Sequence, residues 1–321
     1  MNEYEKIAKE ARKKVSKLTL EQQKQILKLY EDTIEDLAKK ATTKNKSLTK
    51  RWALDYIKEL KQAKKELAKE IEASLGTSIS KAADIGTEGE QLIFKKIFKL
   101  VGIDTGDHFT AMFSQVKNEV IEDIISGNLY KDHKTLSSRI WDTSNKFGKD
   151  IQYVISQGIL EKKSAIELAR DLEKYVKEPA KRGWDWQKIY PYLKNIPVDY
   201  NAQRLARTCI NHSYQTSTIK SSNKNPFVEG IKWRSAQIHG RTCDLCIERA
   251  TTDQYGLGEG IFPIDDVPLD HPNGLCTMIP YIPKSLDEVA GELRDWLDGS
   301  SNDKLDEWYN EYGDYFAFKK L

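Results

Sequence analysis

Apolar positions in the first 178 residues recur every three to four places. Ile7, Ala11, Val15 and Leu18 form one series, Ile26, Tyr30, Ile34 and Leu37 a second, and Trp52, Tyr56, Leu60, Leu67 and Ile71 a third. A period near 3.6 puts each series on one face of a helix. The third series predicts a rod from Thr49 to Ser74, roughly 39 Å long at about 1.5 Å per residue. Further helical patterns cover Leu92–Leu100, Met112–Ile125 and Leu136–Val154, separated by breaks at Gly102, Gly106 and Gly127. Ser164 with Glu167 predicts a capping box opening a helix that runs to Val176. All nine prolines lie between Pro179 and Pro283, so none interrupts these helices.

The texture then changes. Pro179, Gly183, Trp184, Trp186, Pro191 and Pro197 read as an ordered linker whose aromatic residues pack on a neighbouring helix, and Tyr200–Ser221 reads as one more long helix carrying Leu205, Cys209 and Ile219. Beyond Pro226 the period drops to two. Ile231, Trp233 and Ser235 alternate with Lys232 and Arg234, and Leu275, Thr277, Ile279 and Tyr281 alternate similarly, which predicts two antiparallel strands bracketing a loop. Ser285 and Glu288 cap a helix with Val289, Leu293, Trp296 and Leu297 on one face. The acidic end carries Trp308, Tyr309, Tyr312, Tyr315, Phe316 and Phe318, which either dock back on their own domain or serve as exposed anchors for a partner. The expected fold is mainly α: a long-helix region over 1–178, a linker and helix over 179–225, a small α+β strand-loop module over 226–284, and carboxy-terminal helices over 285–321.

Composition narrows the class. Of 321 residues, 39% are hydrophobic and 31% charged, no apolar run approaches the roughly 18 residues of a membrane span, and the charged amino terminus has no apolar stretch behind it. The chain therefore reads as a protein folded in a cytoplasm, without a membrane partner. The net charge of +2 hides an asymmetry: residues 1–250 hold 46 Lys and Arg against 34 Asp and Glu, giving +12, and residues 251–321 hold 5 against 15, giving −10. The Lys-rich faces around 13–17 and 58–69 are either solvated helix surface or weak, salt-sensitive contacts to nucleic-acid phosphates.

Four cysteines are too few and too clustered for a disulfide framework. Cys209 reads as a small apolar core residue. Cys243 and Cys246, two residues apart, form a knuckle that can place both sulfurs on one ion, and the returning strand brings Cys276 with His271 five residues before it. Three sulfurs and an imidazole most simply hold a structural zinc, with a redox pair at Cys243 and Cys246 or ordinary reduced thiols as the alternatives. His108, His133, His212 and His239 stand outside this spacing, although His239, four residues before Cys243, is a possible substitute ligand.

The runs GIKWRSAQIHGRTCDLCIERA and GEGIFPIDDVPLDHPNGLCTMIPYIP resemble the carboxy-terminal module of the tailed-phage head morphogenesis family, the Mu F-type minor head proteins. There a Trp-bearing strand leads into Arg-Thr-Cys-x-x-Cys, a Gly-bearing loop with Phe-Pro follows, and His-Pro-Asn-Cys-x-Cys closes the module. Trp233, Arg241, Thr242, Cys243, Cys246, Gly260, Phe262, Pro263, His271, Pro272, Asn273 and Cys276 fit that pattern. Upstream, RLARTCINHSYQTS and GILEKKSAIELARDL resemble the two preceding helices, so the resemblance covers 158–283. Two positions depart from it: Gly274 stands in place of the family's first cysteine after His-Pro-Asn, and His239 in place of the acidic residue before Arg-Thr. With one thiol fewer, His271 is needed to complete a set of four protein ligands.

The resemblance implies a minor capsid protein made in a bacterial host cytoplasm and carried in the virion near the portal vertex. It would act in head morphogenesis or in handling packaged DNA, with the portal protein as partner, contacts to scaffold or major capsid protein, and no catalysis of its own. A His-Asn-His-type zinc-knuckle nuclease is the alternative, since Asp270 and His271 follow Cys246 at a similar distance. It lacks a histidine after His271 and a second Cys-x-x-Cys.

Overall fold

The computed structural model describes residues 2–43, 50–103, 108–177, 199–236 and 242–316. The expected linker aromatics Trp184 and Trp186, with His239, Arg241 and Phe318, lie outside them. The chain is mainly helical, with α1 Glu3–Thr43, α2 Lys50–Val101, α3 His108–Ser126, α4 Leu136–Leu160, α5 Ala165–Lys177 and α6 Tyr200–Ser222 preceding a small sheet. In that sheet β1 is Gly230–Arg234, β2 Ile261–Phe262 and β3 Thr277–Tyr281, with α7 Asp244–Thr251 inserted after β1. Helices α8 Leu286–Leu297 and α9 Asp303–Tyr312 follow. Among the described residues no helix is long and apolar enough to cross a membrane.

The chain forms two compact units that interleave along the sequence. One comprises 1–18, 78–124 and 208–321, and the other 19–77 and 125–207. In the second, Ile26, Tyr30, Ile34 and Leu37 are buried, as are Trp52, Tyr56, Leu60, Leu67 and Ile71, so the periodic series are the core faces they predict. Tyr30 meets Phe147 edge-on with ring centroids 5.1 Å apart, and the Tyr56 hydroxyl donates to the Leu37 carbonyl at 2.5 Å. Ser164 and Glu167 form their predicted reciprocal cap on α5, and Ser285 and Glu288 do so on α8.

One feature departs from the sequence reading. The separate patterns at 49–74 and 92–100 belong to one helix of 52 residues, α2, because no proline breaks it and its glycines are single residues that a long helix tolerates. At Gly86 an added Cβ would lie 2.0 Å from Ser217 Oγ and 2.7 Å from the Tyr214 carbonyl, so α2 and α6 touch through bare backbone. Of the two readings of the aromatic end, docking back on its own unit is the one its described residues follow. Leu305, Trp308 and Phe316 are buried in one cluster with Tyr4, Phe94, Phe98, Phe109, Phe113, Val289 and Trp296, and the Trp308 and Phe316 rings meet at 56° with centroids 4.8 Å apart. Their large apolar area is worth more against the helices of their own unit than in water.

Helix α6 is buried from Thr208 to Thr218 without interruption, although Thr208, Asn211, His212, Ser213, Gln215, Thr216, Ser217 and Thr218 are polar. The short hydroxyls are satisfied locally: Ser217 donates to Ser213 O, Thr218 to Tyr214 O, and Ser213 across to Ile79 O of α2. The longer side chains of α6 are left to reach the sheet module.

Candidate metal centre

Strand β1 lies between β2 and β3, antiparallel to both, with Ile231 opposite Phe262 and Pro280 and Trp233 opposite Met278. This closure brings the knuckle after β1 to the chain entering β3, as the alternation predicts; strand β2 is added on the other edge. Ile231, Trp233, Cys246, Phe262, Cys276 and Met278 make a small buried cluster around the site. Gly260 is needed where it stands. Its φ is +70°, and a Cβ there would lie 2.7 Å from the Ala250 carbonyl and 3.1 Å from that of Trp233.

Cys243 is the N-cap of α7 and exposed, whereas Cys246 on the first turn is buried. The metal-ligating atoms of Cys243, Cys246 and His271 all lie within 4.8 Å of one another, and so do those of Cys246, Asp270 and Cys276. The four predicted ligands are thus gathered around Cys246, joined by a carboxylate, Asp270. His271 Nδ1 lies 3.0 Å from the Pro272 carbonyl, which can only accept, so the ring proton sits on Nδ1. Nε2, 3.4 Å from Cys243 Sγ, then carries the lone pair that a metal ligand needs.

The charges of the sulfurs differ with their surroundings. The Cys246 amide, which donates to the Cys243 carbonyl at 3.0 Å, lies close enough to the Cys243 sulfur to lower its pKa, and His271 adds to the effect. Burial raises Cys246, reinforced by its sulfur neighbours, and raises Cys276 with Asp270 adding to the effect. For His271 burial acts downward but is outweighed by the Pro272 carbonyl, Asp270 and Cys243, and its pKa rises. Among the described residues the buried Trp233 indole N–H has no hydrogen-bond partner, and it and the Ala236 amide, both near the Cys276 sulfur, act against the rise of the Cys276 pKa. Donors close to sulfur are what a metal-bound thiolate requires around it, and the set of three sulfurs, one imidazole and one carboxylate can hold a metal ion.

Asp270 is the group that spacing alone did not find as part of this cluster. Its Oδ2 accepts from Asn211 Nδ2 (3.1 Å), Gln215 Nε2 (3.2 Å) and the Cys276 amide (3.2 Å), while Oδ1 accepts from the His271 amide (2.9 Å). Behind it Arg12 Nη1 donates to Asn211 Oδ1 at 2.5 Å, and burial lowers the Arg12 pKa although the Asp270 charge opposes the shift. His212, which the spacing set apart, faces the Asp270 carbonyl from Nε2 at 3.0 Å. Asn273 at φ +68° and Gly274 complete the turn, with the Gly274 amide on His271 O and the Asn273 amide on Thr208 Oγ1. A Cβ on Gly274 would fall 2.2–2.4 Å from the Asp270 carboxylate. The departure at 274 therefore has a physical reason: the carboxylate fills the space that a side chain at 274 would take. Neither family models, curated proteins nor solved structures yield a match to this chain.

Proposed function

We propose that this chain is a minor head protein of a tailed phage, seated at the portal vertex and acting in head assembly or in the passage of DNA. The observation that carries the reading is the spatial convergence of the residues on which the resemblance rests. Trp233, Cys246, Phe262 and Cys276 are far apart in sequence yet share one cluster, and Gly260 and Asn273 occupy backbone conformations their side chains suit. That supports reading the motif as one folded unit rather than as scattered coincidences.

In this reading the ion is zinc, held by Cys243, Cys246, His271 and Cys276, with Asp270 as the buried anchor beneath them. A shell filled by protein ligands makes the ion a structural cross-link and leaves it no reaction to perform. The partner surface is the module itself, since Trp308 and Phe316 lie in the core and Tyr309, Tyr312 and Tyr315 pack against it. Leu245, Ile247 and Leu269 are exposed there beside Asp244 and Glu248, an apolar and acidic face suited to a basic-rimmed protein surface.

The experiment is co-expression with a tailed-phage portal protein, sought among the reading frames that neighbour this chain's, together with metal analysis of protein purified without an affinity tag for metals. Co-purification that falls with salt and about one zinc per chain are expected. Folded portal that fails to retain the chain would overturn the portal reading, and less than about 0.2 zinc per chain would overturn the zinc.

A further inference from the structure

The second unit presents an arrangement that its own packing does not use. Trp141 on α4 is 42% exposed, a large apolar ring left in water. Lys64 of α2 lies along the stripe formed by Trp141, Asn145 and Gly148. Its Nζ stands 4.6 Å from the Trp141 ring centroid and donates to Asn145 Oδ1 at 2.8 Å, and a Cβ on Gly148 would come within 2.9 Å of its Cδ. Ser137 Oγ donates to Glu72 Oε2 at 3.4 Å, so α4 runs antiparallel to this part of α2. Lys149 consequently falls toward the Lys61 end of the stripe.

Positive charge accumulates there without compensation. Among the described residues Lys61, Lys64, Lys65, Lys69, Lys146 and Lys149 have no carboxylate within ion-pair distance, whereas Lys58 and Lys134 of the same unit each have one and Lys163 has two. Several acids of the two helices are engaged elsewhere, Glu59 by Lys40, Glu66 by Gln62, Glu72 by Ser137 and Asp142 by Lys134, and Glu70 forms an ion pair with none of these lysines. Partial burial lowers the Lys64 pKa, and the charge of the neighbouring Lys61 adds to the effect.

We propose that this face binds single-stranded nucleic acid, with the lysines on successive phosphates and the Trp141 indole as the plate on which an unpaired base stacks. A polyanion relieves the lysine repulsion, and a flat base covers the exposed ring while Lys64 holds its other side; one ligand satisfies both. The inference stands on this unit alone and does not depend on the portal reading.

The test is fluorescence anisotropy with the full chain and a labelled single strand of about 30 nucleotides, its duplex, and vesicles with anionic headgroups, at low and moderate salt. Single-strand binding is expected, weakened roughly 5- to 100-fold by Trp141→Ala and largely restored in Trp141→Phe. Changing Lys61, Lys65 and Lys149 together to Gln should reduce the salt slope by about 2, from about 0.7 per lost single-strand phosphate contact. Unchanged circular dichroism and melting of the variants exclude misfolding as the cause. Affinity for the single strand that is absent or indifferent to Trp141→Ala would overturn the proposal, and so would binding to vesicles alone.

Discussion

Asp270→Ala removes the acceptor of four hydrogen bonds and leaves two backbone amides and the amides of Asn211 and Gln215 facing a hole. Breaking a buried charged centre of this kind costs about 3–5 kcal/mol. Water can enter from the partly exposed His271 side and places the value toward the lower end. The effect is local, so the suitable assay is hydrogen exchange of peptides covering β1 and β3, where at about 1.4 kcal/mol per tenfold the protection should fall roughly 10²- to 10³-fold. Asp270→Asn is the internal control. With its oxygen in the place of Oδ2 it keeps three of the acceptor contacts, loses the one from the His271 amide, and should cost only about 1–2 kcal/mol. If Asp270 is an anchor and not a ligand, Asp270→Asn retains its metal. A fall in protection of less than tenfold in Asp270→Ala would refute the network argument, and loss of metal from a folded Asp270→Asn would make the carboxylate a ligand.

Three further outcomes follow from the packing. Burial raises the Glu90 pKa from 4.5 to about 7 against the opposing hydrogen bonds from Asn225 and Ser222, so its contribution to stability is complete below pH 4.5 and is lost as pH rises through 7. Glu90→Gln should flatten that decline, gaining about 3 kcal/mol relative to wild type between pH 4.5 and 8 in denaturant titrations; parallel pH profiles would count against it. Gly86→Ala should destabilise by about 1–3 kcal/mol through overlap with Ser217 and Tyr214, while Gly76→Ala in the same helix, with nothing within 4 Å, should stabilise by about 0.5–1 kcal/mol. Calorimetry that ranks the two variants in the opposite order would contradict the close helix contact. Truncation after Gly299 removes Leu305, Trp308 and Phe316 from the core and should yield aggregated or molten protein, detectable by dye binding, and not a soluble chain lacking only a binding tail.

The helical half was legible because its amphipathic series repeat at one period over long stretches, and the residues of the three series over 7–71 are buried or partly buried. Helix α6 was less so. Pattern reading gives a buried helix apolar residues, yet here the hydroxyls of Ser213, Ser217 and Thr218 are absorbed by backbone carbonyls, which lets a polar sequence lie inside. The aromatic end could be read in two ways because composition reports how much apolar area a segment carries and not what covers it. Only the contacts of Trp308 and Phe316 decide between core and anchor.

The centre shows the same division at the scale of single side chains. Cys243, Cys246, His271 and Cys276 could be singled out because metal ligation constrains spacing, and strand pairing then brings the two halves together. Asp270 was visible in the sequence as a neighbour of His271, but its position as anchor depends on Asn211 and Gln215, some 55 to 59 residues away, and on the absence of a side chain at 274. That dependence has an energetic consequence. The six-residue cluster around Trp233 is too small to hold a three-stranded sheet by apolar burial alone, since such sheets need a helix or another layer to pack on. The module is secured instead from two sides: by donors that gather around Cys246, and by a polar bridge from Arg12 through Asn211 to Asp270. A charged bridge is a weak contributor of net stability but is intolerant of misplacement, because every donor left without its acceptor keeps its full desolvation cost. The same atoms that add little to the depth of the fold therefore determine where the module sits on α6, and a cysteine at 274 would not add a ligand without first displacing the carboxylate that sets that position.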